Sequence, residues 1–188
     1  MKKLMCLDII RISDLILSLT ASIVLFPIFL VLFILCWFDT GSPLFKQKRL
    51  GLSKKRFEII KFRTMNLNTP SLPTHQISSK NITAIGACLR RTKLDELPQL
   101  WNVIVGQMSL VGPRPCLASQ KDIIHKRDKL GIFCFKPGLT GLAQIRGVDM
   151  SDPDLLIDLD LEMVHSLNIR RYFMYILFTV ISILGIKA

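Results

Sequence analysis

LRRTKLDELPQLWNVIVGQMSLVGPRP, residues 89–115, decides how this chain is read. It sets Arg90, Arg91 and Lys93 ahead of the adjacent pair Asp95-Glu96, then follows with Pro98 and, after an apolar run, the turn Gly112-Pro113-Arg114-Pro115. Proline is favoured in the first turn of a helix, where its missing N–H costs nothing, so the spacing predicts a short helix over residues 98–105 stopped by Gly106. The two carboxylates then fall at or just before its N-terminus, where free backbone N–H groups keep carboxylates ionised and attract phosphate. Two chemistries are open to such a pair. Together the carboxylates suit one Mg²⁺, a hard ion that prefers oxygen and accompanies diphosphates. Alternatively, one of them attacks phosphorus and forms an acyl phosphate. Arg90, Arg91 and Arg114 are candidates to clamp phosphate oxygens, because a guanidinium offers paired donors in a fixed fork. The same residues also compose a solvated face of surface ion pairs, and residue types alone leave these readings open.

Composition narrows the partners. A chain of 188 residues allows one compact domain with an appended membrane element, and 50% hydrophobic content is high for a protein without membrane contact. Mean hydropathy of +0.41 points the same way. The formal charge of +11 calls for an anionic partner: nucleic acid, an acidic lipid surface or a phosphorylated substrate. A basic stripe with interleaved aromatic residues is missing, which disfavours nucleic acid. Five scattered cysteines (Cys6, Cys36, Cys88, Cys116, Cys134) carry no metal spacing and read as reduced thiols, and His75, His125 and His165 form no local metal motif.

Along the chain, Lys2, Lys3 and Arg11 precede an uncharged run from Leu15 to Phe38, about 24 residues and long enough to span a bilayer as one straight helix. Pro27 sits near its middle, removes a backbone hydrogen bond and clashes with the carbonyl of Ile23, so a kink is expected there. Ser22 is the nearby candidate to satisfy that carbonyl. The segment after the run is basic as well (Lys46, Lys48, Arg49, Lys54, Lys55, Arg56), and positive charge on both flanks favours both ends on one side of the membrane. A helix that enters, turns and leaves meets both conditions.

Beyond Gly41-Ser42-Pro43, the residues Phe57, Ile59, Ile60 and Phe62 predict a short strand after a turn at residues 51–53, with Lys61 and Arg63 on one face. Residues 66–81 read as a loop, and a helical tail through Gly86 brings Arg90 and Arg91 to the central block. Residues 117–130 predict a helix whose Lys121, Lys126, Arg127 and Lys129 face water or membrane. Pro137-Gly138 and Gly141 mark tight turns. The acidic stretch 148–160 (Asp149, Asp152, Asp154, Asp158, Asp160) matches no Ca²⁺ loop, and Ser151-Asp152-Pro153 predicts a helix start instead. A C-terminal uncharged run, residues 172–186, is about 15 residues long, short for a span, and reads as an interfacial helix.

The central block, together with FDTGSPLFKQKRLGLSKKRFEIIKFRTM at residues 38–65 and KPGLTGLAQIRG at residues 136–147, closely resembles the bacterial sugar transferases, also called monotopic phosphoglycosyl transferases. The resemblance implies an α-rich α+β fold: a monotopic membrane protein with a re-entrant anchor helix broken at Pro27 (residues 1–40), a small cytoplasmic catalytic domain (residues 41–188) and interfacial amphipathic helices. It implies transfer of a sugar 1-phosphate from a UDP-sugar to undecaprenyl phosphate with release of UMP, at the cytoplasmic face of the bacterial inner membrane, in glycoconjugate assembly. Asp95 is then the nucleophile, Glu96 a metal ligand beside it for Mg²⁺, and Lys61 an active-site residue. Arg90, Arg91, Arg114, Arg63 and Arg146 are the phosphate-binding candidates. Expected partners are the donor, the lipid acceptor and membrane lipid, with a homodimer left open and no nucleic acid. Residues 73–75 and 147–153 look like the branch that handles N-acetylated 6-deoxyhexosamines. A non-catalytic scaffold of a polysaccharide assembly complex and a membrane-tethered nucleic-acid binder are the alternatives.

Overall fold

The structure is a computed structural model that describes the backbone over residues 2–69 and 79–183, with side chains over 8–69 and 80–183. Its elements run α1 (Lys2–Val24), α2 (Phe26–Thr40), β1 (Leu44–Leu50), β2 (Arg56–Phe62), α3 (Ala84–Arg91), α4 (Gln99–Ile104), β3 (Ser109–Val111), α5 (Lys121–Lys129), β4 (Gly138–Thr140), α6 (Leu142–Ile145), α7 (Pro153–Ser166) and α8 (Ile169–Ile183). This is the expected helix-rich α+β class. The strands form two small sheets among the described residues, an antiparallel β1–β2 hairpin and a parallel β3–β4 pair.

Proline places the helix boundaries. α1 and α2 meet at Leu25 with 64° between their axes, two residues before Pro27, which lies in the first turn of α2. The hydrogen bonds from Leu25 N to Ala21 O and from Phe29 N to Leu25 O survive on either side, so the bend is confined to the turn from which proline removes a donor. Ser22 does not relieve Ile23, as the sequence suggested: its hydroxyl donates to Ser18 O at 2.7 Å. No single helix among the described residues is long and apolar enough to cross a membrane, but α1 from Asp8 together with α2 passes that test as a bent pair. Pro98 caps α4, Val105 ends it, and Gly106 turns away at φ +84°. At α7, Pro153 follows the cap Asp152, whose carboxylate accepts from Leu155 N.

Both halves of the bent pair pack against the globular body. α2 places Leu32 and Cys36 against Phe62 of β2 and Leu89 of α3, with the Phe29 and Phe62 rings 5.0 Å apart. α1 places Ile10 in the main core beside Val103, Met108, Leu156 and Met163. Arg11 donates to the carbonyls of Val103 and Ile104 at the end of α4. Asp14, fully buried, accepts from Leu110 N, Ser109 Oγ and Tyr172 Oη. Packing therefore runs across residue 40, where the family resemblance places the end of an anchor, because the first half of α1 serves the same core as β3 and α8. The outer faces of the pair stay apolar and exposed, with Ile16, Ile23, Val31, Ile34 and Phe38 among them.

One charged helix is read differently in three dimensions. Arg127, expected on the wet side of α5, is 2% exposed and pairs with the buried Asp160 of α7. The charge is tolerated inside because its counter-ion and the Arg114 carbonyl, 2.7 Å from its Nη1, are buried with it. Asp160 thus belongs to the core, unlike Asp154, which makes an exposed pair with Lys126.

Candidate active site

The site is assembled where α3, β2 and the turn after β3 converge on residues 94–96. Gly86 lets α3 lie against the backbone of Thr64: a Cβ there would sit 2.2 Å from the Thr64 carbonyl oxygen. That approach brings Arg90 Nε within 2.8 Å of Thr64 Oγ1. The chain leaves α3 at Thr92 and reverses at Lys93, whose φ of +58° is the left-handed conformation that side chains disfavour. A single 3₁₀ turn, Leu94–Glu96, follows. Leu94 and Leu97 pack on the Leu32–Phe62 cluster, which fixes the turn so that Asp95 and Glu96 meet the cations of β2 and the next loop. Lys93→Val, β-branched at a left-handed position, is expected to cost about 1–3 kcal/mol in thermal melts, whereas Lys93→Gly should melt near the wild type. Equal melting of the two variants would remove the strain at this turn.

The two carboxylates have different surroundings. Lys61 Nζ lies 2.5 Å and Arg114 Nη2 3.3 Å from the same oxygen, Glu96 Oε1. Burial opposes ionisation of Glu96, but Lys61, Arg114 and Lys93 outweigh it and hold the carboxyl down at about 2. Asp95, 8% exposed, accepts no side-chain hydrogen bond among the described residues. Its pKa is raised by burial and by the neighbouring Glu96 charge, against the pull of Lys61, Arg90 and Arg114. Neighbouring carboxylates pushed apart in this way take different chemical roles. Glu96 is a fixed bridge held in its charged form near neutral pH, and Asp95 is a more basic, unbridged carboxylate.

Arg114 is held by its turn. Gly112 N donates to Thr140 O, Gly138 N to Pro113 O, Arg49 Nη1 to Pro115 O and Arg127 Nη1 to Arg114 O. A Cβ on Gly138 would lie 2.0 Å from Gly112 N, so glycine is what lets the β4 segment meet this turn.

Of the residues nominated by sequence, the structure brings together Lys61, Arg90, Asp95, Glu96 and Arg114. Arg63 lies past the end of β2, bonds Ser42 O at 2.9 Å and Leu44 O at 3.2 Å, and stacks over Phe45. Arg91 is exposed, and Arg146 lies on the surface, 3.9 Å from Glu162. Arg49 belongs by sequence to the basic flank, yet it lines the cleft beside Lys61, Glu96, Gln99 and Arg114. Burial and the nearby Arg114 pull its pKa down to about 10. On β1, Arg49 shares a face with the buried Gln47, a placement that LFKQKRL does not signal because the strand has no apolar alternation. The histidines take no part: His125 and His165 are exposed, and His75 lies outside the described residues.

Compared with known proteins, residues 6–185 match the bacterial sugar transferase family. The chain belongs to that family. It is similar to the UDP-glucose:undecaprenyl-phosphate glucose-1-phosphate transferase of Xanthomonas campestris pv. campestris, 35% identical over 189 residues that cover 93% of this chain and 38% of that protein. It is also similar to the UDP-galactose-lipid carrier transferase of Erwinia amylovora, 37% identical over 154 residues, 73% of this chain and 32% of that protein. The exopolysaccharide production protein PSS of Rhizobium leguminosarum bv. phaseoli is 40% identical over 153 residues, 73% of this chain and 74% of that protein. The chain thus spans about a third of the first two of these sugar transferases.

The donor set bears on the metal expected from sequence. No cluster of three or more His, Cys, Asp or Glu side chains occurs among the described residues, so a cage made by protein alone is not present there. Mg²⁺ instead typically takes one or two carboxylates and completes its shell with phosphate and water. Both cations meet Glu96 through Oε1, which leaves Oε2 without a hydrogen-bond partner among the described residues and open to such an ion.

Proposed function

We propose that this protein transfers a sugar 1-phosphate from a UDP-sugar to undecaprenyl phosphate at the cytoplasmic face of the bacterial inner membrane, in polysaccharide assembly. The observation that carries the reading is the asymmetry of the dyad, an ionised, doubly bridged Glu96 beside a raised, unbridged Asp95. The names of the relatives supply the substrate classes. An Asp95 oxygen attacks the sugar-linked phosphorus, the bond to the bridging oxygen breaks, and UMP leaves with that electron pair. A phosphate oxygen of the acceptor then attacks the same phosphorus and displaces Asp95, giving the lipid diphosphate sugar. Lys61, Arg90 and Arg114 stabilise the charge gathering on the phosphoryl oxygens. Mg²⁺ bound with the donor, held by Glu96 and Asp95, would neutralise its diphosphate. The bent pair of α1 and α2, with exposed apolar faces, suits a re-entrant anchor that seats the site where a polar donor and a lipid acceptor meet. The exposed Phe173, Leu177 and Val180 of α8 suit an interfacial helix.

The test is UMP release by the full chain in membrane-like particles with undecaprenyl phosphate and Mg²⁺. The donor panel holds UDP-glucose, UDP-galactose and UDP-linked N-acetylated 6-deoxyhexosamines. The last class answers to residues 147–153, whose Gly147 turns at φ +69° ahead of α7, and to residues 73–75, which lie outside the described residues. Release with one donor names the sugar. No release with any donor, and no phosphosugar trapped on the protein, would favour a scaffold.

Lys61 gives the reading a pH dependence. Asp95 must be ionised to attack, and Lys61 is the strongest influence lowering its pKa against burial. Lys61→Met is therefore expected to move the acid limb of the kcat/KM profile to higher pH as well as to slow turnover. An unmoved limb would detach Lys61 from Asp95. Stability has the opposite sense at Glu96: its lowered pKa contributes stability above the ordinary value of 4.5 that is lost as pH falls through about 2.

A further inference from the structure

Gln99 is the first residue of α4, and its side chain is 3% exposed. Its amide nitrogen Nε2 is buried and has no hydrogen-bond partner among the described residues. One helical turn on, Asn102 is just as buried but fully engaged: Nδ2 donates to Glu58 O and Gln107 Oε1, and Oδ1 accepts from Ile60 N. Docking α4 on β2 thus uses Asn102, and the Gln99 donor is left over. A buried donor without an acceptor destabilises the fold and is retained where something else supplies the acceptor.

Its surroundings point to an anion. Gln99 lines a cleft with Arg49, Lys61, Arg114 and Glu96, three cations against one carboxylate. Three of the five N–H groups of the Arg49 guanidinium donate to Gln47 Oε1 and Pro115 O, so its charge is held in place beside the cleft. The nucleophile candidate Asp95 does not line this cleft. Lys61 and Arg114, which line the cleft, also act on the Asp95 carboxylate.

We propose that Gln99 is a substrate-binding residue, and that its Nε2–H donates to an oxygen of the donor's nucleotide-side phosphate, the one that leaves as UMP. The assignment rests on the transferase reading above and adds a group to it. It makes the cleft a seat for the leaving phosphate, separate from the seat of the phosphoryl group under attack. A hydrogen bond to a charged phosphate in such a place should contribute about 10- to 100-fold in affinity.

The experiment uses the full chain in membrane-like particles and titrates UMP onto wild type, Gln99→Met and Gln99→Glu, with melting curves of each without ligand. Gln99→Met keeps the shape and deletes the donor. It is expected to weaken UMP binding by about 10- to 100-fold, to melt above wild type when ligand-free because the unpaired donor is gone, and to lower kcat/KM for the UDP-sugar far more than kcat/KM for undecaprenyl phosphate. Gln99→Glu, which sets a second negative charge in the cleft, should weaken UMP further. Wild-type affinity for UMP in a folded Gln99→Met would overturn the inference while leaving the transferase reading standing. A Gln99→Met variant that melts below wild type would also overturn it, because the amide would then be paired within the fold. A wild-type chain that neither binds UMP nor releases it from any donor would overturn both.

Discussion

Asp95→Asn is expected to lower UMP release by at least about 10⁴-fold while leaving the protein folded, as removal of a covalent nucleophile does elsewhere. Asparagine keeps the shape and removes the attacking charge. The expected effect on stability follows from the direction of the pKa shift. Burial and the neighbouring Glu96 raise the Asp95 pKa in the folded chain, so its ionisation at neutral pH opposes folding. The stability this group contributes is present in its protonated form and lost as pH rises through the folded pKa. The neutral variant should therefore melt at or above wild type at pH near 7. Glu96→Gln should behave in the opposite way. It removes the shared partner of Lys61 and Arg114 and leaves a buried ammonium unpaired, so both stability and activity should fall. Incubation with labelled donor and no acceptor separates the roles: label should stay on wild type and, more slowly, on Glu96→Gln, and not on Asp95→Asn. Turnover by Asp95→Asn within about tenfold of wild type would move the nucleophile elsewhere.

Much of this arrangement was legible before any coordinates, and the legible parts are local. Pro27, Pro98 and Pro153 mark helix starts because a missing N–H is tolerated only there. β2 was legible from its apolar run, and Phe57, Ile59 and Phe62 of that run are buried. The approach of Lys61 to the dyad came from family resemblance, not from residue spacing. What failed was whatever depends on a distant partner. Arg127 looked like a wet charge because its counter-ion lies 33 residues away on another helix. Arg63 was placed on the Lys61 face by counting in twos, yet the strand stops at Phe62, and Arg63 N turns to Pro43 O. The parallel pairing of β3 with β4 was hidden because two three-residue strands carry no periodicity, and only the contact between Gly112 and Gly138 makes it fit. Arg49 and Gln99 become functional candidates only when five separate segments close one cleft.

The Arg127–Asp160 pair should give the largest loss of stability from a single substitution. Both groups are essentially excluded from water, and Arg127 Nε and Asp160 Oδ1 have no partner among the described residues, so neither can be left alone cheaply. Asp160→Ala or Arg127→Ala is expected to cost about 3–5 kcal/mol, since each strands a buried charge. For a domain of this size that lowers the melting temperature by roughly 10 °C. The double change Arg127→Met with Asp160→Leu strands no charge and should recover most of the loss, because a buried pair seldom outperforms well-packed apolar groups. Activity should not follow stability. Arg127 Nη1 also holds the carbonyl of Arg114, and no apolar side chain replaces that donor, so the turn that aims Arg114 at Glu96 loosens even in a stable double variant. The expected result is a protein that melts near wild type and releases UMP about ten- to a hundredfold more slowly, the cost of a misplaced electrostatic group. Full activity in the double variant would confine the pair to stability, and single variants that lose less than about 1 kcal/mol would mean that water reaches the pair and the charges are not truly buried.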